Sequence, residues 1–527
     1  MHGDSRLTGA TTNYTFLTGR SFTTGYGYDA ASNRASFTDP ENGSTSYVYD
    51  TLNRLQTLTP PTAFSGTGSF GFSYDALSRR TQMTRPNGLN SIYAYDNLSR
   101  LLSVLHQSGS TTLDGASYTV DNAGNRTSRT DQLAGVTSNY TYDPIYELTQ
   151  VTQGVNTTES YTYDQVGNRL SSLGVSPYNY NTSNELTSTP NATYTYDNNG
   201  NTLTKVVGSN TTSYTWDFEN RLSSVTLPGT GGTVSLKYDP FGRRIYKSSS
   251  SGTSIYAYDG DNLVEETNSS GAAVARYEQT QNIDEPLAML RSSTTSYYHV
   301  DGLGSVTSLS SSAGSIANTY TYDSFGKLTN STGSLVNPFR YTARESDTET
   351  GLYYYRARYY DPNVGRFLTE DPLGFGADVN LYRYVFNNPA RMTDQSGLSA
   401  RDVQRIQAAC KKCTDKLTAS GERRAGSGGW NGFLNNLISS FTFGFKYSGC
   451  DRQANLTAGC LDSPSPPYDD HWDFSVVSVN SGFHRITMGV SRNPSAPIVL
   501  CDPWKDMNTT IPRGAGTGTG GGGGGPF

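Results

Sequence analysis

Cysteine, histidine and charged residues are scarce over most of this 527-residue chain. The first 398 residues contain no cysteine, which excludes a disulfide scaffold or a cysteine-ligated metal there. Between residues 20 and 340 the histidines are His106 and His299, too few for a histidine-rich metal or catalytic cluster. Charged residues make up 16% of the chain, too few for a solvated coil beside 38 tyrosines. No run of 18 apolar residues occurs, so the sequence predicts no membrane-spanning helix.

A short phrase recurs along the chain: Tyr-x-Tyr-Asp, a turn of Asn, Gly or Ser, and then Arg-Leu or a variant of it. The first aspartates follow one another at intervals of 21 or 25 residues. A fixed period near this length indicates one supersecondary unit stacked many times. The phrase occurs at Tyr26–Asp29, Tyr47–Asp50, Tyr93–Asp96, Tyr140–Asp143, Tyr161–Asp164, Tyr194–Asp197, Tyr256–Asp259 and Tyr320–Asp323.

Each repeat is predicted to be a hairpin of two short strands. Alternation as in Tyr-Thr-Tyr is strand patterning, and Asp followed by Asn-Gly, Leu-Ser or Phe-Gly is typical of a tight turn. A single hairpin is marginal in water, whereas stacked hairpins bury one another's aromatic faces. The tyrosine hydroxyls need polar partners, which suits a wall that is wet on one side. The simplest interpretation of residues 20–340 is a mainly β scaffold without chemistry of its own.

The units resemble the YD repeats of RHS (rearrangement hot spot) proteins. Two further stretches, Tyr298–Val306 and Tyr341–Leu368, are similar to the RHS repeat-associated core, and the resemblance covers roughly residues 20–398. It implies a spiralling antiparallel β-hairpin shell closed around a C-terminal cargo, which is often a polymorphic toxin used against other cells. Because the chain opens within repeat-like sequence, we expect a fragment of a longer member.

The composition changes after Leu398. All five cysteines and three of the four tryptophans follow it, and the tail carries a small net positive charge whereas the rest of the chain is acidic. We therefore predict an N-terminal segment 1–19, YD repeats 20–297, an RHS-associated core with an autocleavage motif 298–398, a small α+β effector domain 399–512 and a glycine-rich tail 513–527.

Two similar phrases precede this boundary, one beginning at Asp371 and the other at Asp394. Two aspartates brought together can share a proton, so that one acts as base and the other as acid against a peptide bond. Spacing alone leaves open that both cap loops, like the other turn aspartates. The resemblance implies that Asp371 and Asp394 form a self-cleaving aspartyl site that cuts between Leu398 and Ser399.

The resemblance also implies an upstream arginine that positions the site. Arg358, in Arg-Ala-Arg-Tyr-Tyr-Asp-Pro, is the match, and Arg366 is the alternative. The second phrase departs from the family in one position, because Gln395 stands where proline is usual. The carboxylate is kept, but the local backbone is less constrained.

The tail opens with a stretch, residues 401–417, whose pattern predicts an amphipathic helix. Cys410 and Cys413 within it have the spacing of a zinc or redox pair, but no second closely spaced ligand pair follows. We therefore expect no metal, and a disulfide to Cys460 or Cys501 after export.

A second constellation in the tail favours thiol chemistry. Cys450 follows a glycine at the start of a short helical pattern, where a helix N-terminus lowers a thiol pKa. His484 stands at the head of a predicted strand, and Asp502 ends a buried one. This order is that of papain-like and transglutaminase-like enzymes, in which the acid orients the imidazole that takes the thiol proton. Pairing of Cys450 with Cys460, or His471 as the base, stays open.

Three interpretations of the tail therefore stay open. It is a cysteine protease or deamidase toxin, or a nuclease toxin, or a non-enzymatic adhesion domain of a cell-surface interaction protein. The basic excess permits a nuclease, although no His-Asn-His phrase occurs. The main prediction implies the tail itself as cargo, an immunity protein, export or carrier machinery and a protein substrate of the target cell, without nucleic acid or cofactor. Residues 1–19 show no secretory signal, so we expect a secreted or cell-surface protein with an unknown route.

Overall fold

The computed structural model describes residues 6–64, 68–376 and 378–398, and by backbone alone four further strands between residues 472 and 511. Strand follows strand through this part of the chain, and the strands pair in antiparallel fashion. The described residues carry no α-helix; their helical turns are of the 3-10 type, at Thr62–Phe64, Tyr341–Ala343, Gly374–Gly376 and Val385–Asn387.

Fifteen strands of the described chain form one sheet in which each strand pairs with the next. They are β1 (Gly9–Asn13), β2 (Ser21–Tyr28), β3 (Arg34–Thr38), β4 (Ser44–Tyr49), β5 (Leu55–Thr59), β6 (Phe70–Tyr74), β7 (Arg80–Thr84), β8 (Leu89–Tyr95), β9 (Leu101–Ser108), β10 (Thr111–Val120), β11 (Arg126–Asp131), β12 (Val136–Tyr142), β13 (Leu148–Gln153), β14 (Asn156–Tyr163) and β15 (Arg169–Ser172).

A second sheet of sixteen described strands continues in the same sequential order. They are β16 (Asn179–Tyr180), β17 (Leu186–Thr189), β18 (Ala192–Tyr196), β19 (Thr202–Val207), β20 (Asn210–Trp216), β21 (Leu222–Thr226), β22 (Thr233–Tyr238), β23 (Arg244–Ser249), β24 (Gly252–Asp259), β25 (Asn262–Thr267), β26 (Ala273–Gln279), β27 (Pro286–Arg291), β28 (Thr294–Val300), β29 (Val306–Ser311), β30 (Ile316–Tyr322) and β31 (Leu328–Thr332). The spiralling hairpin array predicted from the repeat is confirmed.

Two small sheets follow. The first joins β32 (Glu345–Asp347), β33 (Leu352–Tyr355), β34 (Arg358–Asp361) and β35 (Arg366–Phe367). The second joins β36 (Trp472–Val479), β37 (His484–Ser491), β38 (Ile498–Asp502) and β39 (Met507–Ile511). The helix predicted for residues 401–417 lies outside the described residues.

Most repeat turns are built around their aspartate, although Asp259 instead accepts from Tyr26 and Arg34. Oδ1 of Asp50 accepts hydrogen bonds from the N–H groups of Leu52 at 2.9 Å and Arg54 at 3.0 Å, and Arg54 Nε donates to Oδ2 at 2.7 Å. Nη1 of Arg54 then reaches the carbonyl oxygen of Asp75 in the next turn, at 3.2 Å. The aspartate therefore closes its own turn, and the arginine ties neighbouring turns into a row.

In most repeats the tyrosine before the aspartate ties its hairpin to the one before. The hydroxyls of Tyr74 and Tyr163 donate to the carbonyl oxygens of Leu55 and Leu148, each at 2.8 Å. The strand register shifts at this tyrosine, as between Ser73 and Tyr74. Such bulges bend a strand and increase its twist, so a bulge in repeat after repeat curves the sheet.

The two large sheets meet along a buried polar seam, formed by Arg85, His106 and Asp114 on one side and Tyr298–Ser308 on the other. Arg85 Nη2 donates to the carbonyl oxygen of Tyr298 at 2.8 Å, and His106 Nε2 lies 3.0 Å from that of Val300. Asp114 accepts from hydroxyls of the second sheet at 2.5 and 2.6 Å. Contacts between residues about 200 positions apart thus close the two sheets on each other.

Candidate functional site

The site is built on the hairpin of β33 and β34. Tyr355 pairs directly with Arg358, so the turn between them has two residues, and Arg356 in it takes a left-handed backbone with φ 61°. Tyr360 and Phe367 pack against Tyr355 with ring centroids 5.5 and 5.8 Å away. This fully buried aromatic layer fixes the direction in which the turn residues project.

Arg358 brings the two predicted catalytic aspartates together. Its Nη2 lies 2.9 Å from Oδ2 of Asp371 and 3.5 Å from Oδ2 of Asp394. All three side chains are buried, with at most 6% of any of them exposed. The guanidinium stacks on the ring of Phe367 at 3.6 Å, and its Nη1 donates to the carbonyl oxygen of Leu381 at 3.0 Å. The arginine is thus held rigidly between the two carboxylates.

Burial is the main influence on the pKa of Asp394. It raises the pKa of this carboxyl to about 6, the positive charge of Arg358 opposes the rise, and the negative charge of Asp371 adds to it. The N–H groups of Ser396 and Gly397 donate to Oδ1 of Asp394 at 3.2 and 2.9 Å. A carboxyl with this pKa can hold a proton in weakly acidic solution.

The segment that follows Asp394 lies against the hairpin turn. The carbonyl oxygen of Ser396 accepts from the N–H of Ala357 at 3.1 Å, and that of Gly397 accepts from Nε of Arg358. Gly397 has φ 71°, and a Cβ there would lie 2.1 Å from the carbonyl oxygen of Tyr355. The glycine is required by both its backbone conformation and the close approach of the hairpin.

Two further arginines hold the same segment. Nη1 of Arg344 donates to the carbonyl oxygen of Gln395 at 3.1 Å, and Nη1 of Arg356 donates to the same oxygen. Both guanidinium groups also pair with the buried carboxylate of Asp284. Burial, with a smaller contribution from the neighbouring charge of Arg356, lowers the pKa of Arg344 to about 9. The segment is therefore anchored through its backbone, whatever side chain stands at position 395.

The alternative arginine of the sequence analysis has another place in the structure. Arg366 Nη2 donates to the carbonyl oxygen of Asn184 at 2.6 Å, and its guanidinium lies 4.7 Å from the ring of Tyr382. The structure thus brings Arg358 to the aspartate pair and uses Arg366 to attach the small sheet to the second large one. Sequence reasoning missed Arg344 and Arg356, although both lie within the core stretch that it singled out.

A cavity of about 840 Å³ reaches the site from between the large sheets. Thr393, Asp394 and Gln395 form part of its wall, opposite Asp259 and Asp301. A cavity of this size and polarity can supply water to Asp394, which together with Asp371 forms the aspartate pair, called the dyad below.

The second predicted constellation is described in part. His484 begins β37 and Asp502 ends β38, as the sequence predicts, and Thr487 pairs with Cys501 between these adjacent strands. This register puts His484 and Asp502 at the same end of the sheet, two positions apart across the strand pair. Cys450, His471, Ser399 and the remaining tail cysteines lie outside the described residues, except Cys501 in β38.

Neither metal ligation nor a membrane span is found in the described residues. Over these ranges no group of three or more His, Cys, Asp or Glu side chains could hold a metal ion. No helix in the same ranges is long and apolar enough to cross a membrane.

Comparison with known proteins places the repeat array in a family. The Teneurin YD-shell family model matches residues 125–390, about half of the chain. Toxin subunit YenC2 of Yersinia entomophaga is 52% identical over 63 residues, which are 12% of this chain and 6% of that protein. The tRNA3(Ser)-specific nuclease WapA of Bacillus spizizenii is 30% identical over 296 residues, which are 53% of this chain and 11% of that protein.

A solved structure shares the fold. The crystal structure of TcdB2-TccC3 with Cdc42 superposes with a TM-score of 0.57 at 21% identity, over 72% of this chain and 22% of that chain. This chain therefore spans only a small part of the length of the relatives named here. The tyrosine-tied hairpins, the two sequential sheets and the family match together identify an RHS/YD-repeat protein, and the chain belongs to the Teneurin YD-shell family.

Proposed function

We propose that this protein is a shell that encapsulates its C-terminal region and releases it by cutting its own chain between Leu398 and Ser399. The observation that supports the cut is the shared contact of Arg358 with Asp371 and Asp394, directly before the segment that ends at Leu398. Two neighbouring carboxyl groups, one of them with a raised pKa, are the acid and base that aspartyl hydrolysis uses, and Arg358 contacts both of them here.

The two aspartates have different roles in this proposal. Asp371 lies closer to Arg358 and acts as the carboxylate base, whereas Asp394 holds the proton and acts as the acid. Water gives a proton to Asp371 and adds to the carbonyl carbon of Leu398. Asp394 gives its proton to the amide nitrogen of Ser399 as the C–N bond breaks. One water is consumed, and a carboxyl group and an amine are formed.

Expression of the full chain tests the cut. We expect the wild type to give two fragments on a denaturing gel, with Ser399 at the start of the smaller one by mass spectrometry. Asp394→Asn should stay intact because it cannot supply the acid proton. Asp378→Asn is the matched control, since Asp378 lies between the two motifs but pairs with Arg383 at 2.7 Å. An intact wild type, or a cut Asp394→Asn chain, would contradict the proposal.

For the released region, residues 399–512, we propose a thiol-dependent toxin domain that acts on protein amides, with Cys450 as nucleophile, His484 as base and Asp502 as its orienting acid. The register of His484 and Asp502 on adjacent strands supports this assignment. The YenC2 name, toxin subunit, supports a toxin role that would involve export or carrier machinery, an immunity protein and a protein substrate in the target cell. Such a protein acts when secreted or at the cell surface.

A nuclease is the second candidate for the released region. It is favoured by the name of the Bacillus relative, a tRNA3(Ser)-specific nuclease. Expression of the full chain inside bacteria separates the two. Growth arrest that is lost in Cys450→Ala and kept in Cys413→Ala supports the thiol enzyme. Growth arrest that persists in Cys450→Ala, with degraded tRNA in the cells, supports the nuclease.

A further inference from the structure

The carbonyl oxygens of residues 395–398 all accept hydrogen bonds, but not from the same source. Those of residues 395–397 accept from Ala357 and from arginine side chains of the core. That of Leu398 instead accepts from the hydroxyl of Ser396, at 3.0 Å. The carbonyl at the proposed cut is thus held by a side chain of the cleaved segment itself.

The Ser396 hydroxyl lies between this carbonyl and the dyad. It accepts from the N–H of Leu398 at 3.2 Å and lies 3.4 Å from Oδ1 of Asp394. Its nearer acceptor is the Leu398 carbonyl oxygen, so its proton points to the carbonyl rather than to the carboxyl. The bond from the Leu398 N–H fixes the hydroxyl and leaves its proton free for this role.

We propose that Ser396 is a catalytic residue of the cut, the donor that stabilises negative charge on the carbonyl oxygen of Leu398. This inference rests on the proposed function. When water adds to the carbonyl carbon, charge develops on the oxygen, and a neutral hydrogen bond becomes a charge-assisted one. The hydroxyl keeps its proton throughout, so the reaction still consumes one water and forms one carboxyl group and one amine.

Single-turnover cleavage of the full chain tests this role. The chain is pulse-labelled during cell-free translation, and the loss of intact chain is followed on gels for the wild type, Ser396→Ala, Ser396→Thr and Asp394→Asn. Loss of one oxyanion donor should slow Ser396→Ala on the order of 10²-fold. Ser396→Thr keeps the hydroxyl and should cut at close to the wild-type rate. Asp394→Asn should stay intact.

The pH profile separates catalysis from a merely structural role. Ser396→Ala should be slow at every pH with a midpoint close to that of the wild type, because the backbone N–H groups of Ser396 and Gly397 that hold Asp394 remain in place. A shifted midpoint, or a Ser396→Thr chain as slow as Ser396→Ala, would overturn the inference. Equal rates for wild type and Ser396→Ala would refute the role of Ser396 and leave the dyad standing. An uncut wild type would refute the proposed function, and with it the reaction that Ser396 serves.

Discussion

Arg358 offers one positive charge to two buried carboxylates. Burial disfavours the charged form of a carboxyl, and a second carboxylate nearby adds to this effect, so one of the two keeps a proton more readily than in water. Burial and Asp371 place this effect on Asp394, the residue that begins the segment to be cut.

The proposed cut should slow as pH rises through about 6. The pKa of Asp394 is about 6 in the folded chain, so the proton needed by the leaving amine is present below this pH and lost above it. The loss of intact chain measured between about pH 5 and pH 8 checks this. Asp378→Asn should show the same profile. A rate that is flat or rising through pH 6 would show that Asp394 is not the acid.

Side-chain chemistry was the part of the site that the sequence could predict. Asp371, Asp394 and Arg358 are named by their motifs, and the structure brings them together. Arg344 and Arg356 could not be found in this way, because both bind the backbone carbonyl oxygen of Gln395, which no residue type encodes. The unusual glutamine at that position is tolerated for the same reason.

Among elements, the hairpin of β33 and β34 depends on a glycine in the segment opposite. We expect Gly397→Ala to abolish the cut, because φ 71° and a Cβ at 2.1 Å from the carbonyl oxygen of Tyr355 force the segment away from Arg358. Gly374→Ala is the matched control: its φ is 66°, but nothing lies within 4 Å of the added Cβ. Cleavage assays and thermal unfolding of both variants check this.

The comparison of Gly397→Ala with Gly374→Ala separates the strain of a left-handed backbone from the clash with the hairpin. Both substitutions carry the strain of a left-handed alanine, about 1 kcal/mol. Only the Cβ at Gly397 also clashes with backbone, so Gly397→Ala should unfold at a lower temperature than Gly374→Ala and should be the one of the two that loses cleavage. Efficient cutting by Gly397→Ala would contradict the described seating of the segment.

Substitution of the aspartate of a repeat turn should lower the free energy of unfolding, whereas substitution of an exposed residue at the tip of the same turn should not. Asp239 accepts from the N–H groups of Phe241 and Arg243 at 2.9 and 3.0 Å, and from Nε of Arg243 at 2.7 Å. Asp239→Ala leaves these donors without their acceptor and should lower the free energy of unfolding by about 2 kcal/mol. Phe241→Ser at the same turn, 71% exposed, should change it by less than about 0.5 kcal/mol. Urea unfolding with equal m values measures both; equal effects would contradict the role of the carboxylate.

Hairpins and turns followed from the repeat, but the division into two sheets did not. The first sheet ends at β15 and the second begins at β16, while the repeat phrase continues on both sides, at Tyr161–Asp164 and Tyr194–Asp197. A pattern that repeats locally carries no information about where the array breaks.

For the whole molecule, closure of the two sheets should weaken in acid through the seam. Burial, aided by the charge of Arg85 and opposed by that of Asp114, lowers the pKa of His106 to about 4. The pKa of His299, whose ring meets that of His106 edge-on with centroids 4.8 Å apart, is also far below its usual value. The folded state therefore holds both rings neutral. The stability that they contribute is full above about pH 6.5 and is lost as pH falls toward 4.

His106→Gln isolates this effect. The stability of the wild type relative to the variant should fall by about 2–3 kcal/mol as pH drops from about 7 to 4, because only the wild type has the ring to protonate. Urea unfolding at several pH values measures the difference. A difference that does not change with pH would show that the seam is not titrated.

The stability of the wild type relative to Glu278→Gln should change with pH in the opposite direction to its stability relative to His106→Gln. Glu278 lies across the sheets from Thr45, whose hydroxyl donates to it at 2.8 Å, and burial raises its pKa to about 8. Its contribution is full below about pH 4.5 and lost as pH rises through 8. The stability of the wild type relative to this variant should therefore fall toward alkaline pH. If the stability of the wild type relative to the two variants changed with pH in the same direction, the pH dependence would not come from His106 and Glu278.

The hairpin donates hydrogen bonds to the backbone carbonyl oxygens of Gln395, Ser396 and Gly397. All three residues lie on the amino-terminal side of the proposed cut. Hydrolysis after Leu398 would break none of these bonds. The new chain end would stay fastened where it formed, and the shell before and after the cut would be nearly superimposable. Severing the peptide would then remove the covalent tether of the cargo without rearranging the hairpin that holds the new chain end.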